Sequence, residues 1–225
     1  MTEQEIADKI NVYGKTGKKM FTTSSFQTHS IVLLHILSKI DQSIPVYFIH
    51  TGYHFPETLI YRDQIAKLFD LKLINIYSTT AKVHQRDVQG KLLYASDPDL
   101  CCHLNKVLPL EPVLASHDIW INGVRADQGT FRKQLQVEEK SKWNTTRFHP
   151  MLDWTGKMIY DYLRVNDIPH HPLEQEGYYS IGCEPCTRKW NLDLDERNGR
   201  WYGLKKTECG LNTDLVEIKQ DTSIS

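Results

Sequence analysis

Residues 45–77 read PVYFIHTGYHFPETLIYRDQIAKLFDLKLINIY, and the fold class follows from how this stretch divides. Val46-Tyr47-Phe48-Ile49 is an unbroken run of β-branched and aromatic residues opened by Pro45, which suits a strand covered on both faces. Pro56 sits well in the first turn of a helix, so a helix is predicted from Pro56 to about Phe69. Leu71 to Tyr77 then returns to strand composition. A strand, a helix and a second strand in this order are the unit from which parallel sheets are built.

Working outward, the alternation continues. Lys18 to Ser24 (KKMFTTS) reads as a strand ending in small hydroxylated residues, and His29 to Ile40 as a helix with Ile31, Leu34, Ile36 and Ile40 inward. Asp118 to Asn122 (DIWIN) is a further strand, closed by Gly123. Glu3 to Ile10 is a short amphipathic helix, and another runs from the capping residues Asp153 or Thr155 to Val165, stopped by Pro169 and Pro172. The fold class is α/β, with a mostly parallel sheet flanked by helices. From about Asn191 the chain turns polar, with Gly199, Gly203 and Gly210 and no long apolar stripe. The expected organisation is an α/β domain over residues 1–190 and a flexible C-terminal segment over 191–225.

Composition narrows the functional classes. There are 27 basic against 28 acidic residues, so no domain-wide basic field points to nucleic acid as the main partner. The longest apolar candidate, Ile31 to Leu37, is broken by His35 and falls far short of the roughly 20 residues a membrane span needs. MTEQEIADKI lacks the basic-then-apolar pattern of a secretory signal, so a cytoplasmic protein is expected. Oligomeric state is left open, a homo-oligomer included.

Five cysteines, an odd number, argue against a disulfide framework and for metal binding or catalysis. They group as Cys101-Cys102, Cys183-Glu184-Pro185-Cys186, and Cys209 alone. Four thiolates suit tetrahedral zinc or an iron–sulfur cluster, and Cys-X-X-Cys alone would also suit a redox dithiol. Lys106, four residues after Cys102, would stand beside such a site if the stretch is helical. Cys209 follows Lys205-Lys206-Thr207-Glu208 and precedes Gly210, a setting that favours a nucleophilic thiol. Arg197 and Arg200 add guanidinium groups matched to sulfate or phosphate.

Two loops complete the set. Thr22 to Ser30, with Ser24, Ser25 and Ser30, places hydroxyls and backbone N–H groups at a helix N-terminus, an anion site in principle and equally a plain serine-rich cap. Gly123-Val124-Arg125-Ala126-Asp127-Gln128 follows a predicted strand, where α/β folds bind ligands, which makes Arg125 a substrate candidate.

Together these motifs resemble the adenylylsulfate/phosphoadenylylsulfate reductase family. The resemblance rests on the Ser-rich loop at 24–30, His50-Thr51-Gly52 with Pro56-Glu57-Thr58, and Cys101-Cys102 with Lys106. It continues through Gly123-X-Arg125-X-Asp127-Gln128, Cys183-X-X-Cys186-Thr187-Arg188, Glu196-Arg197-X-Gly199-Arg200-Trp201 and Lys206-Thr207-Glu208-Cys209-Gly210-Leu211. Three positions depart from the family pattern: Asn212 and His50 stand where His and Asp are usual, and Pro98 where a His is often found.

The resemblance implies an adenine nucleotide α-hydrolase-like (PP-loop type) fold and a [4Fe–4S] cluster held by Cys101, Cys102, Cys183 and Cys186. It implies substrate contacts from Ser24, Ser25, Ser30, Thr51, Gly52, Lys106, Arg125, Arg197 and Arg200. It also implies attack of Cys209 on adenylylsulfate (APS), resolved by reduced thioredoxin or a glutathione/glutaredoxin-like thiol, in assimilatory sulfate reduction and cysteine biosynthesis. The alternatives are a 3′-phosphorylated substrate (PAPS) or both substrates, and, more remotely, a zinc-stapled nucleotide-binding protein without activity. A sulfur-transfer relative that adenylates RNA or DNA would call for a Ser-Gly-Gly-X-Asp-Ser-type loop, and residues 25–30 lack both glycines and the Asp.

Overall fold

The structure, a computed structural model, describes residues 1–189, 199–201, 203, 206 and 208–213. Six strands form one sheet: β1 Met20–Thr23, β2 Val46–His50, β3 Leu73–Tyr77, β4 Ile119–Ile121, β5 Glu138–Lys140 and β6 Thr146–Phe148. Their order is β3-β2-β1-β4-β6-β5, and every pairing is parallel except the edge pair β5–β6. The helices are α1 Glu3–Lys15, α2 Thr28–Ile40, α3 Pro56–Leu68, α4 Leu93–Ser96, α5 Pro98–Cys102, α6 Leu108–Ser116, α7 Gly156–Val165 and α8 Gly210–Thr213.

Alternation along each strand sorts the side chains into two cores. On β4, Ile119 and Ile121 join the larger core with Ile31, Leu34, Phe48 and Phe148, while Trp120 turns to the opposite face with Phe21, Ile49, Leu110 and Leu114. The helix α2 buries Ile31, Val32, Leu33, Leu34, Ile36 and Leu37, so its apolar surface runs nearly all round. A helix of that kind must be enclosed, and α1 and α7 enclose it against the sheet. The cap of α1 is a full capping box between Thr2 and Glu5, and Thr155 caps α7 through the Met158 N–H.

Most expected elements are present, with shifted ends. The first helix runs on to Lys15, and the first strand is only Met20–Thr23, which leaves Ser24 in the loop. Strands β5 and β6 carry no three-residue pattern that a sequence could announce. Glu138, Glu139 and Lys140 are charged because β5 is the sheet edge, where charge discourages further pairing.

Several histidines are buried in the neutral form. Burial pushes His29 down to about 3, with Arg125 nearby adding to the effect. Burial likewise lowers His149 and His171 to about 4. Nδ1 of His171 accepts from the Leu173 N–H at 3.2 Å, so the neutral ring is already fully engaged. Folded values below the unfolded one mean that stability is fully present above about pH 6.5 and is lost as pH falls towards 4. Each such imidazole contributes up to about 1.4 kcal/mol per pH unit in that window. The urea midpoint is therefore expected to fall steeply from pH 7 to pH 5, and His171→Gln to flatten the slope.

Candidate active site

A cleft opens at the carboxyl ends of β1 and β4, the point from which the sheet grows in both directions. Open parallel sheets bind ligands at such switch points. One wall is the loop after β1. Ser24 Oγ accepts from the Phe26 N–H at 3.0 Å and donates to Ser30 Oγ at 3.0 Å. Phe26 has a φ of 54°, in the left-handed region that costs a non-glycine residue about 1–2 kcal/mol. Burial of its ring against Phe48, 5.8 Å between centroids, holds it there. The resulting turn leaves Ser25 exposed at the start of α2.

The opposite wall joins two loops far apart in sequence. Thr51 is buried with Oγ1 3.3 Å from Cys183 Sγ, and the Glu184 N–H donates to the Tyr53 carbonyl at 2.6 Å. Gly52 has a φ of 68°, and the Lys82 ammonium packs where a Cβ would stand. Lys82 also lies over the Tyr53 ring, 3.7 Å from its centroid. His50 does not line the cleft. It stacks towards Tyr77 and His54, and burial lowers its pKa.

The paired cysteines end α5, and a π-helical turn, His103–Val107, links them to α6. The cause lies downstream. In a regular α-helix the Pro109 ring would collide with the Asn105 carbonyl, and the wider turn relieves that clash. Asn105 is buried and trades hydrogen bonds with Gln85, 2.6 and 3.0 Å, while also donating to the Cys101 carbonyl at 2.9 Å. The turn is thus fixed from both sides, and it sets Lys106 between the cysteines and the cleft.

Cys101, Cys102, Cys183 and Cys186 line one small closed space with Thr51, Tyr53, Asn105 and Lys106. None of the five cysteines is in a disulfide. Burial pushes the Cys101 thiol up to about 12, with Cys102, Cys183 and Cys186 adding to it, and burial raises Cys102 to about 11. Burial alone would lower the Lys106 ammonium, but Cys183, Cys209 and Cys102 outweigh it and hold Lys106 above its ordinary value. Four thiolates facing one enclosed space repel one another unless soft cations share it, so this donor set fits a thiolate-ligated metal group. Among the described residues, no three His, Cys, Asp or Glu side chains are grouped to hold a single metal ion. A [4Fe–4S] cluster asks for less convergence, since its four thiolates bind four separate irons.

The cleft itself is a cavity of about 170 Å³. It brings together Ser24, Ser25, Thr51, Lys106, Arg200 and Cys209 from the expected set. An adjoining cavity of about 150 Å³ shares the Ser24–Ser25 wall and Cys209 and adds Ser30. Arg200 lies against Gly182, where any Cβ would meet its guanidinium, and 4.6 Å from the Trp201 ring centroid. Gly52 lines neither cavity. Arg125 lines neither, being buried and paired with Asp127 at 3.0 Å, which in turn accepts from the Gly156 N–H at the start of α7. Arg197 lies outside the described residues.

Sequence reasoning missed several lining residues. Arg132 borders both cavities and has no motif around it. Asn122 ends the β4 segment with both amide atoms buried and unpartnered, facing the second cavity. Its position after an apolar strand was the one available signal. The C-terminal segment does reach this site: Glu208 to Thr213 dock beside it, with Asn212 accepting from Arg147 at 2.8 Å. The rest of residues 191–225 is mostly outside the described residues.

A switch-point cleft with serine hydroxyls at a helix start, three cationic side chains and a half-buried thiol defines an α/β protein whose cleft suits an anionic ligand beside a cysteine. A family model, the phosphoadenosine phosphosulfate reductase domain, matches residues 19–189, and the chain belongs to this family. An adenosine 5′-phosphosulfate reductase of Chelativorans sp. is 41% identical over 197 residues, covering 87% of this chain and 80% of that protein. A phosphoadenosine 5′-phosphosulfate reductase of Gloeobacter violaceus is 38% identical over 200 residues, covering 87% and 83%. The crystal structure of a phosphoadenylyl-sulfate (PAPS) reductase from Candida auris, a phosphate complex, has the same fold. Its TM-score is 0.68 at 23% identity, over 82% of this chain and 89% of that one. The expected family and fold are therefore the ones found.

Proposed function

We propose that this protein reduces adenylylsulfate to sulfite and AMP, with Cys209 as the nucleophile. The observation that carries the reading is that Cys209 lines one cleft together with Lys106, Arg200 and the Ser24–Ser25 loop, although these come from three distant parts of the chain. The sulfate end of the substrate meets Lys106 and Arg200, whose charges grow in value as negative charge builds up at the leaving phosphate. The nucleoside end lies along the serine loop, where the unpartnered Asn122 amide offers both a donor and an acceptor.

Cys209 Sγ attacks the sulfonyl sulfur, the sulfur–oxygen bond to phosphate breaks, and AMP leaves with the electron pair. The product is an S-sulfonate on Cys209. A thiolate of a reduced thioredoxin-like dithiol then attacks Cys209 Sγ and expels sulfite with the bonding electrons. Its second thiol closes the donor's disulfide and returns Cys209 as a thiol, so the dithiol supplies both electrons. For that second attack the segment bearing Cys209 must swing out of the cleft.

Cys101, Cys102, Cys183 and Cys186 would hold a [4Fe–4S] cluster, which would supply charge close to Lys106. The two cysteine pairs bring α5 against the loop of Cys183–Cys186, on which Thr51 also packs, and Lys106 borders both their shared space and the cleft. We place the protein in the cytoplasm, where dithiol donors and free cysteines are kept reduced. No helix among the described residues is long and apolar enough to cross a membrane.

Anaerobically purified protein given reduced thioredoxin is expected to release sulfite from APS and little from PAPS. Faster release from PAPS would assign the phosphorylated substrate. Release from neither, by protein with its cluster intact, would overturn the reading.

A further inference from the structure

Glu208, the residue before the nucleophile, carries the most heavily engaged carboxylate of the site. Its Oε1 accepts from Arg132 Nη2 at 2.9 Å, from the Cys209 backbone N–H at 2.9 Å and from Asn212 Nδ2 at 3.1 Å. Its Oε2 accepts from Arg132 Nε at 2.8 Å, which completes a bidentate fork. Both side chains are only 9% exposed. Arg132 is braced from behind by donating to Gln128 Oε1, and Asn212 is braced by Arg147, a fully buried cation over the Trp120 ring.

One carboxylate therefore grips the backbone just before the Cys209 side chain and the side chain three residues after it. Both grips end on the body of the α/β domain, through Arg132 and through Arg147. We propose that Arg132 is a positioning residue: acting through Glu208, it sets where Cys209 Sγ stands in the cleft. Arg132 borders the cavities, but its fork is occupied by Glu208, so its charge serves the attacking segment rather than the substrate anion. The inference rests on Cys209 being the nucleophile.

The geometry makes the pair intolerant of near substitutes. A lysine cannot reproduce two parallel N–H bonds, and a glutamine at 208 keeps the shape and loses the charge. A displacement of about 1 Å at a reacting atom costs about 100-fold in rate. Arg132→Lys, Glu208→Gln and the exchanged pair Arg132→Glu/Glu208→Arg would be compared in the full chain, purified anaerobically with its metal. Three readouts are needed: the single-turnover rate of S-sulfonate formation from APS, AMP affinity, and the alkylation rate of Cys209 by iodoacetamide, followed on its own peptide.

Both single variants are expected to form the S-sulfonate about 100-fold more slowly. AMP affinity should stay within about threefold and Cys209 should alkylate several-fold faster, and the exchanged pair, whose arginine at 208 cannot accept from the Cys209 N–H or Asn212 Nδ2, should recover neither loss. A loss of AMP or APS affinity in Arg132→Lys with no effect of Glu208→Gln would make Arg132 a substrate ligand and overturn the proposal. Should the wild type form no S-sulfonate at all, the reductase reading falls by itself. The positioning role is then decided by alkylation, and unchanged alkylation in every variant overturns it.

Discussion

Cys209→Ser will abolish sulfite release while leaving AMP binding unchanged. A serine hydroxyl keeps the size and the hydrogen-bonding capacity of the thiol, so the cleft and the docked Glu208–Thr213 segment should persist. The chemistry should not. A thiol is a far stronger nucleophile than an alcohol, which needs a general base to remove its proton. Lys106 is held protonated and cannot accept that proton. The expected fall is on the order of 10⁴-fold or more. Mass spectrometry of the wild type incubated with APS alone should show one sulfonate on the Cys209 peptide, and the variant should show none. Sulfite release from Cys209→Ser at a tenth of the wild-type rate would move the nucleophile to another group.

Cys183→Ala will strip the protein of iron and of activity together. Cys183 has two roles in the structure. Its sulfur faces the space shared with Cys101, Cys102 and Cys186, and its backbone forms a bridge with His54 across the floor of the cleft. Loss of an outer hydrogen-bond partner of a metal ligand typically costs 10- to 100-fold in affinity or activity, so loss of a ligand itself should cost about 100-fold or more. Wild-type protein should carry about four irons and matching acid-labile sulfide per chain, and the variant less than a tenth of that. Thermal unfolding should also begin at lower temperature, because metal binding is folding free energy for the loops it joins. One zinc per chain with no labile sulfide in the wild type would replace the cluster by a zinc staple.

How much of this was legible in the sequence depends on the distance over which each signal acts. The strands Val46–His50 and Leu73–Tyr77 and the helix between them were readable, because apolar runs and Pro56 are local signals. The strand Thr146–Phe148 was not. It has three residues, and it is a strand because β4 lies beside it. The same holds within the site. Thiolate chemistry suggested one four-cysteine site from the two pairs, and the structure brings them to one enclosed space. No spacing rule could pair Arg132 with Glu208, 76 residues later, or Gln85 with Asn105. Arg125 shows the opposite failure: its place after a strand suggested a ligand contact, yet Asp127, two residues on, occupies it. Position along a chain says where a side chain starts, and only the packed structure says what it reaches.

The π-helical turn between α5 and α6 has a consequence for how this stretch can vary. Upstream of it the helical phase is set by the cysteines, and downstream by Leu110, Val113 and Leu114 in the second core. The turn holds one extra residue between these two demands like a spare link in a chain. Deleting one residue from His103–Val107 would leave the two halves in phase as one ordinary helix, but the Pro109 ring would then meet the carbonyl four residues before it. The cysteines and the apolar face would keep their directions, and the helix would have to bend or break at the proline instead. The extra residue is therefore tied to Pro109: a chain without that proline could lose one residue here and keep the fold.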